Sequence, residues 1–205
     1  MSILRKLFGP YKDEVWQQLA AEIHADFVEG GFWKGSRVEA TVKEWTITLD
    51  TYTVSTGKTH ITYTRMRAPY VNPDGFRFRI YRKGFFSALG KRLGLMQDVE
   101  VGYPDFDDQF IIQGNDEYKL QLLFNNINIR QLIETQPEIG LEVKDDAGWL
   151  TERFPENVDL LSFQVVGVIR DVERLKHIYG LFGEVLNQLC RIGSAYEGDP
   201  NVALY

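Results

Sequence analysis

The basic residues between positions 65 and 92 are the strongest candidates for binding chemistry in this sequence. The stretch holds eight arginines and lysines but only one acidic residue, Asp74. Arginine holds carboxylates and phosphates through paired hydrogen bonds, so arginines that share a strand face are suited to an anion or an acidic protein partner. The candidate anion-binding or partner-binding residues are Arg65, Arg67, Arg77, Arg79, Arg82 and Lys83.

These residues also have a simpler interpretation, in which each pairs with a nearby carboxylate on a solvated face. A second charged stretch carries five acidic residues and no basic one: Asp98, Glu100, Asp105, Asp107 and Asp108. An acidic loop that faces the basic strands would account for both stretches together. Alternatively, these oxygens could hold calcium or magnesium, or supply the paired carboxylates of a hydrolase. Their spacing does not follow the EF-hand pattern.

The common catalytic and nucleotide-binding motifs are not found. Gly84 and Gly90 resemble the two glycines of a phosphate-binding loop, but five residues separate them where the motif has four, and Arg92 stands where it has Ser or Thr. One cysteine and three scattered histidines offer no zinc-ligand spacing. Cys190 lies among apolar residues, which indicates a buried structural thiol. We therefore expect no catalytic residue, no metal and no cofactor.

Length and composition are those of an ordinary globular protein. The 205 residues are 44% hydrophobic and 25% charged, which is enough to bury a core without a metal or a disulfide. A single cysteine excludes an intrachain disulfide, and there is neither a signal-peptide pattern nor an apolar run of membrane-span length. The net charge of -6 does not favour nucleic acid as a partner. We expect a cytoplasmic protein, monomeric or homodimeric, without a membrane span.

The elements that position these residues follow from hydrophobic periodicity. An apolar stripe at helical spacing predicts an N-terminal helix over residues 10–29, which ends at a glycine pair. The period then changes to two and predicts a β meander over 37–83, with a bulge or a strand break near Lys43. Hairpin turns are predicted at 55–58 and 72–75 from their Gly and Pro content.

The second half of the chain predicts mixed structure. A strand, a sharp corner at Gly114 and two helices are predicted over 109–135, with the glycine permitting the reversal. Strands are predicted within 139–169, and a long C-terminal helix over 171–193. A short helix is predicted at 85–93, followed by a segment that is mostly loop as far as Asp108. A turn is predicted at 145–148.

The C-terminal helix has the clearest periodicity in the sequence. Its apolar residues recur at spacings of three and four: Leu175, Ile178, Phe182, Val185, Leu189 and Ile192. This stripe predicts a core helix that lies on the sheet, with a dimer seam as the alternative. Strands and helices do not alternate one for one, which disfavours a doubly wound parallel sheet. The fold class expected is α+β, a single domain over 1–205 with a mainly antiparallel sheet and flanking helices.

Several short segments resemble a family of uncharacterised bacterial proteins, a domain of unknown function. The similar segments are GNDE after an apolar strand, RQLIE beyond it, TLDTYTV earlier, and IGSA after the last helix. The resemblance extends over most of the chain. It implies a bacterial cytoplasmic protein with one domain, and it implies no activity, cofactor or catalytic residue.

Three functional hypotheses follow from the sequence. The leading one is a non-catalytic binding or interaction protein that uses the basic strand face of residues 65–83. The second is a small hydrolase or metal-dependent enzyme that uses the acidic segment 98–108. The third is a binding protein for an apolar ligand held between the sheet and the last helix.

Overall fold

A computed structural model describes residues 11–31, 35–84, 97–145 and 154–204. Its centre is one antiparallel sheet of nine strands in the order β1-β2-β3-β4-β9-β8-β5-β7-β6. The strands are β1 (Asp26–Val28), β2 (Arg37–Val42), β3 (Trp45–Thr56), β4 (Thr59–Val71), β5 (Phe78–Arg82), β6 (Gln97–Asp98), β7 (Phe110–Gly114), β8 (Gly140–Lys144) and β9 (Val158–Val166).

Five helices are described, and the buried residues of all five join one core with the apolar side of the sheet. The helices are α1 (Lys12–Ile23), α2 (Pro104–Gln109), α3 (Glu117–Phe124), α4 (Ile127–Glu134) and α5 (Val172–Arg191). Helix α5 packs against α1, α3 and α4. The expected α+β class with an antiparallel sheet and a long C-terminal helix is confirmed.

The strand register separates the sheet into an apolar face and a polar face. One line of directly paired residues on the apolar face runs from β1 to β7: Phe27, Val38, Leu49, Met66, Phe163, Leu141, Ile80 and Ile112. The adjacent line lies on the polar face and crosses all nine strands: Asp26, Glu39, Thr48, Arg67, Ser162, Glu142, Arg79, Gln113 and Asp98. We call this second line the polar row. Since side chains alternate along each strand, the two lines fix which residues face the helices.

The N-terminal helix is shorter than predicted. Helix α1 ends at Ile23, where His24 takes a left-handed conformation with φ of 55° and its N–H bonds to the carbonyl of Ala20. The chain then forms β1, in which Phe27 pairs with Val38. The predicted span of 10–29 is therefore wrong at its C-terminal end, because Phe27 satisfies the helical stripe and the strand pattern equally well.

Other boundaries also differ from the predictions. Lys43, with φ of 55°, lies in a tight turn between β2 and β3, so the strand-break alternative is correct and the bulge is not. The predicted loop before Asp108 contains β6 and α2. The turns at 55–58 and 72–75 are confirmed, with Gly57 and Gly75 both at φ of 67°. The predicted helix at 85–93, and the predicted turn after Asp145, lie outside the described residues.

Gly114 is required for a different reason than the one predicted. It closes β7 without a positive φ, so conformational freedom is not its role. A Cβ at this position would lie 2.8 Å from Cδ1 of Leu120 and 3.1 Å from the carbonyl oxygen of Arg77. The glycine therefore permits close packing between β7, α3 and the segment before β5.

Candidate functional site

Two of the candidate arginines on β4 share one carboxylate on β3. The guanidinium of Arg65 donates two hydrogen bonds to the Asp50 carboxylate, from Nε at 2.5 Å and from Nη2 at 2.9 Å. Arg67 donates from Nη2 to Oδ2 of the same aspartate at 2.7 Å. The antiparallel register places Arg65 directly opposite Asp50 and Arg67 opposite Thr48, so the strand pairing itself assembles this cluster.

Arg67 is 4% exposed, which is unusual for a guanidinium. Burial lowers its pKa to about 10, while the neighbouring Asp50 carboxylate acts in the opposite direction. The side chain therefore stays cationic at neutral pH. Its Nε has no hydrogen-bond partner among the described residues, so Asp50 provides most of the compensation for this buried charge.

The candidate arginines near β5 are paired with other carboxylates. Arg77 donates from Nε to Asp159 at 3.1 Å and from Nη1 to Asp145 at 2.9 Å. The hydrogen bond with Asp159 raises the pKa of Arg77. Arg79 binds Glu142 on β8, its direct register partner, at 2.8 Å.

Arg82 and Lys83 contact oxygens that carry no formal charge. Arg82 donates to the backbone carbonyls of Glu134 and Gln136 and lies over the ring of Phe110. Lys83 donates to the backbone carbonyl of Asp107 at 2.9 Å. Each of the six candidate residues thus has a partner, and only Arg65 and Arg67 share one. Their anion-binding role stays a prediction.

The carboxylates of Asp98 and Asp107, in the acidic segment, make local contacts in the described part of the chain. Asp107 accepts hydrogen bonds from the backbone N–H groups of Val101, Gly102 and Tyr103, which closes its own loop. Asp98 accepts from Gln113 on the neighbouring strand. The expectation that these acids pair with the strand arginines is wrong for four of these arginines, because Asp50, Asp145, Asp159 and Glu142 hold Arg65, Arg67, Arg77 and Arg79. In the described ranges, no group of three His, Cys, Asp or Glu residues is arranged to hold a metal ion.

A second polar cluster joins the turn before β5 to the helices. The Asp74 carboxylate accepts hydrogen bonds from Lys119 and Ser194 and from the backbone N–H of Phe76. Partial burial by itself would raise the pKa of Asp74, but these three donors outweigh it and lower the pKa below its ordinary value. This cluster ties α3 and the end of α5 to the sheet, which is a structural role.

A polar cleft of about 410 Å³ lies between the α3–α4 junction and the second half of α5. Its lining includes Asn125, Asn128 and Glu184. Asn126, also in the lining, caps α4 with its side-chain oxygen and contacts Glu184 through its amide nitrogen. The cleft is open to solvent, and its clearest internal contacts serve helix capping.

In the described part of the chain, the end of the β3–β4 hairpin is exposed. Strand β2 pairs with β3 only as far as Leu49, and β9 pairs with β4 only from Thr64 onward. Residues 52–63 therefore extend past both neighbours as a two-stranded ribbon, which we call the ribbon. A single bridge from Tyr63 to Gly167 supports its base.

The polar face of the ribbon carries an aromatic and aliphatic surface. Tyr52 and Tyr63 stack at a centroid distance of 5.0 Å, and the Arg65 guanidinium lies 4.9 Å from the Tyr52 ring centroid. Beyond them Val54 pairs with Ile61 across the two strands. The alternation of β9 places Val166 on the same face. We call Tyr52, Val54, Ile61 and Val166 the ribbon surface; Tyr63 is buried beside them.

Val54 and Val166 are each 40% exposed, which places them among the few large hydrophobic side chains left accessible in the described part of the chain. The sequence-based candidates did not include the ribbon surface, although they included Arg65 beside it. Strand length could have indicated it, because the alternating patterns before and after the turn at 55–58 are longer than the pattern of the preceding strand. The difference in strand length does not by itself show which residues of β3 and β4 extend past the adjacent strands, since this depends on the register.

No protein-family model, no curated protein and no solved structure matches this chain. Among the described helices, none has the length and apolar character needed to cross a membrane.

Proposed function

We propose that this chain is a non-catalytic interaction protein of the bacterial cytoplasm that binds another protein through the ribbon surface. The observation that carries the proposal is the pair of accessible valines, Val54 and Val166, beside stacked tyrosines and the paired Arg65. Apolar groups rimmed by polar ones are the usual composition of a protein-binding patch.

The surroundings of the patch support binding rather than chemistry. Arg65, Asp50 and Arg67 are committed to one another, and the Tyr52 hydroxyl donates to Gln164 at 3.0 Å. These contacts hold the side chains in fixed positions, so little side-chain entropy is lost when a partner covers them. Tyrosine and arginine are also the residue types enriched at interface centres.

The ion pairs also determine which substitutions can test the proposal. Changing Arg77 to an acidic residue would leave the buried Asp159 without its guanidinium partner, so a loss of binding could reflect unfolding. Val166 is a cleaner position, because its side chain is partly exposed and a replacement there leaves the ion pairs intact.

The test is photo-crosslinking inside the cells that naturally produce the protein. A benzophenone amino acid replaces Val166 in one variant and Tyr118 in the control. Tyr118 is 68% exposed but lies on α3, on the helical side of the sheet. We expect discrete crosslinked products of higher mass from position 166 and none of them from position 118. Equal products at both positions, or none at 166, would overturn the proposal.

A further inference from the structure

Positive charge is concentrated in the part of the chain that forms the ribbon. Residues 50–67 hold three basic residues, Lys58, Arg65 and Arg67, and one acidic residue, Asp50, which gives a net charge of +2. The whole chain carries -6, so this stretch differs in sign from the remainder. Residues 160–169, which include most of β9, carry no charge. This distribution attracts an acidic partner to the ribbon and repels it from the rest of the chain.

The charge at the base of the ribbon is only partly neutralised. Arg65 and Arg67 share the single carboxylate of Asp50, so two guanidinium groups face one negative charge. Burial is the main cause of the lowered pKa of Arg67, and the positive charge of Arg65 lowers that pKa further. Arg67 is shielded from solvent, but Arg65 keeps 22% of its side chain exposed beside the Tyr52 ring. Arg65 is therefore the member of this cluster that a carboxylate from outside the chain can reach.

A carboxylate on the neighbouring part of the polar row does not cancel this charge. Glu142 on β8 forms ion pairs with Arg79 and with Lys144. Its negative charge is therefore already matched by cations of its own, and the excess of positive charge at the base of the ribbon remains.

The two accessible cations lie on either side of the aliphatic part of the ribbon surface. Lys58 is exposed in the turn at the tip, and Arg65 follows seven residues later on β4. At about 3.3 Å per residue, the two positions are roughly 20 Å apart. Ile61 and its register partner Val54 lie between them. A partner that matches this arrangement has aliphatic side chains at its centre and carboxylates at its ends.

We propose that the ribbon surface binds an acidic protein segment, in which aspartate or glutamate residues flank aliphatic ones. Its carboxylates contact Lys58 and Arg65, and its aliphatic side chains cover Val54 and Val166. A nucleic-acid backbone would satisfy the two cations but brings no aliphatic group to the valines, so the observations favour protein. The inference rests on the proposed function and adds the chemistry of the partner, so it can fail while the ribbon surface still binds another protein.

The first test uses the purified full chain with the benzophenone amino acid at position 166 and two synthetic peptides as probes. One peptide has three valines between two pairs of glutamates, and in the other peptide lysines replace the glutamates. Extended, each spans roughly 20 Å, like the ribbon surface between its cations. At low salt we expect about fivefold more crosslinking to the glutamate peptide, and salt should reduce this preference by screening. Equal crosslinking of both peptides would overturn the inference.

Lys58→Glu tests the charge at the tip and leaves the Asp50 cluster intact, because Lys58 is exposed in a turn. We expect the preference for the glutamate peptide to fall about threefold. Arg191→Glu is the matched control, since it changes the net charge equally at an exposed position on α5, and it should keep the preference. An equal fall in both variants would show that net charge, and not the ribbon, governs binding.

Crosslinks formed from position 166 inside the producing cells separate this inference from the proposed function. Mass spectrometry maps the attachment point on each captured protein, and acidic residues on both sides of an aliphatic attachment point would support the inference. An attachment point in a neutral or basic segment would overturn it and leave the proposed function standing. Products that nuclease removes, or no product at position 166, would overturn both.

Discussion

Arg67 donates a 2.7 Å hydrogen bond to Asp50 from a position that is only 4% exposed, so the aspartate compensates a charge that water cannot reach. Both residues lie on the polar face, in the part of the sheet where β3 and β4 pair with each other. Because Asp50 also holds Arg65, one carboxylate serves two guanidinium groups.

Removing this carboxylate should destabilise the fold strongly. Asp50→Ala leaves Arg67 buried without a counter-charge, and we expect a loss of roughly 3–5 kcal/mol in the free energy of unfolding. Adding Arg67→Met to the same variant removes the uncompensated charge and should restore a large part of the loss. Urea denaturation of the three proteins measures both changes.

Glu39→Ala is the matched control for Asp50→Ala, since Glu39 belongs to the polar row but pairs with the partly exposed Arg37. We expect a cost of at most about 1 kcal/mol. If Asp50→Ala costs no more than this control, Asp50 does not compensate the buried guanidinium.

The C-terminal helix should behave as part of the core. Phe182 is fully buried within a single chain, which agrees with the predicted core stripe rather than with a dimer seam. Phe182→Ala should cost roughly 3–5 kcal/mol through cavity formation, measured by chemical denaturation. His177→Ala, on the exposed side of the same helix, should change stability little. A monomeric Phe182→Ala protein with an unchanged unfolding midpoint would show that the helix is an intermolecular seam.

Two glycines should respond to alanine in opposite directions. Gly114→Ala places a methyl group 2.8 Å from Cδ1 of Leu120, and we expect a loss of about 1–3 kcal/mol. Gly183→Ala in α5 meets Cγ1 of Val42 at an ordinary 3.9 Å, so the better helix propensity of alanine should stabilise the protein by up to about 1 kcal/mol. Thermal unfolding of both variants gives the two signs, and the same sign for both would contradict the packing described at Gly114.

The Asp74 cluster should make stability depend on pH in the acid range. Its lowered pKa means that the folded state favours the carboxylate, so this stabilisation is present above the ordinary pKa of 3.8 and is lost as the pH falls through the folded value. Asp74→Asn should therefore be less stable than the unmodified protein near neutral pH, with the difference shrinking in acid. Glu156→Gln, an exposed control, should show a difference that stays small at both pH values.

Hydrophobic periodicity is sufficient to predict the type and the buried face of an element whose pattern repeats several times. The stripe of α5 predicted five fully buried residues correctly, from Leu175 to Leu189, because a 20-residue helix repeats its signal several times. Short elements were missed: the three residues of β1 and the two of β6 are too few for an alternation of period two to be recognised. The glycine and proline turns were predictable because their chemistry is local.

The pairing of charges was not predictable, because it depends on contacts between distant parts of the chain. Arg77 and Asp159 are 82 positions apart, and they meet because β5, which follows Arg77, and β9, which contains Asp159, belong to the same sheet. The sequence identified the arginines correctly as a concentration of charge but could not supply their partners. The ribbon was missed for the same reason, since a strand is exposed only relative to neighbours that the sequence does not specify.

The position of β9 has a consequence for synthesis of the chain. Strand β9 is the only described strand that joins the N-terminal half of the sheet, β1 to β4, to the other half, which runs from β8 to β6. The two halves of the sheet therefore cannot join during synthesis until residues 158–166 have left the ribosome. Until then, β4 and β8 both lack β9 as a pairing partner. Truncation before β9 would leave both halves without their common neighbour, so we expect nascent chains of this length to aggregate more readily than the full chain.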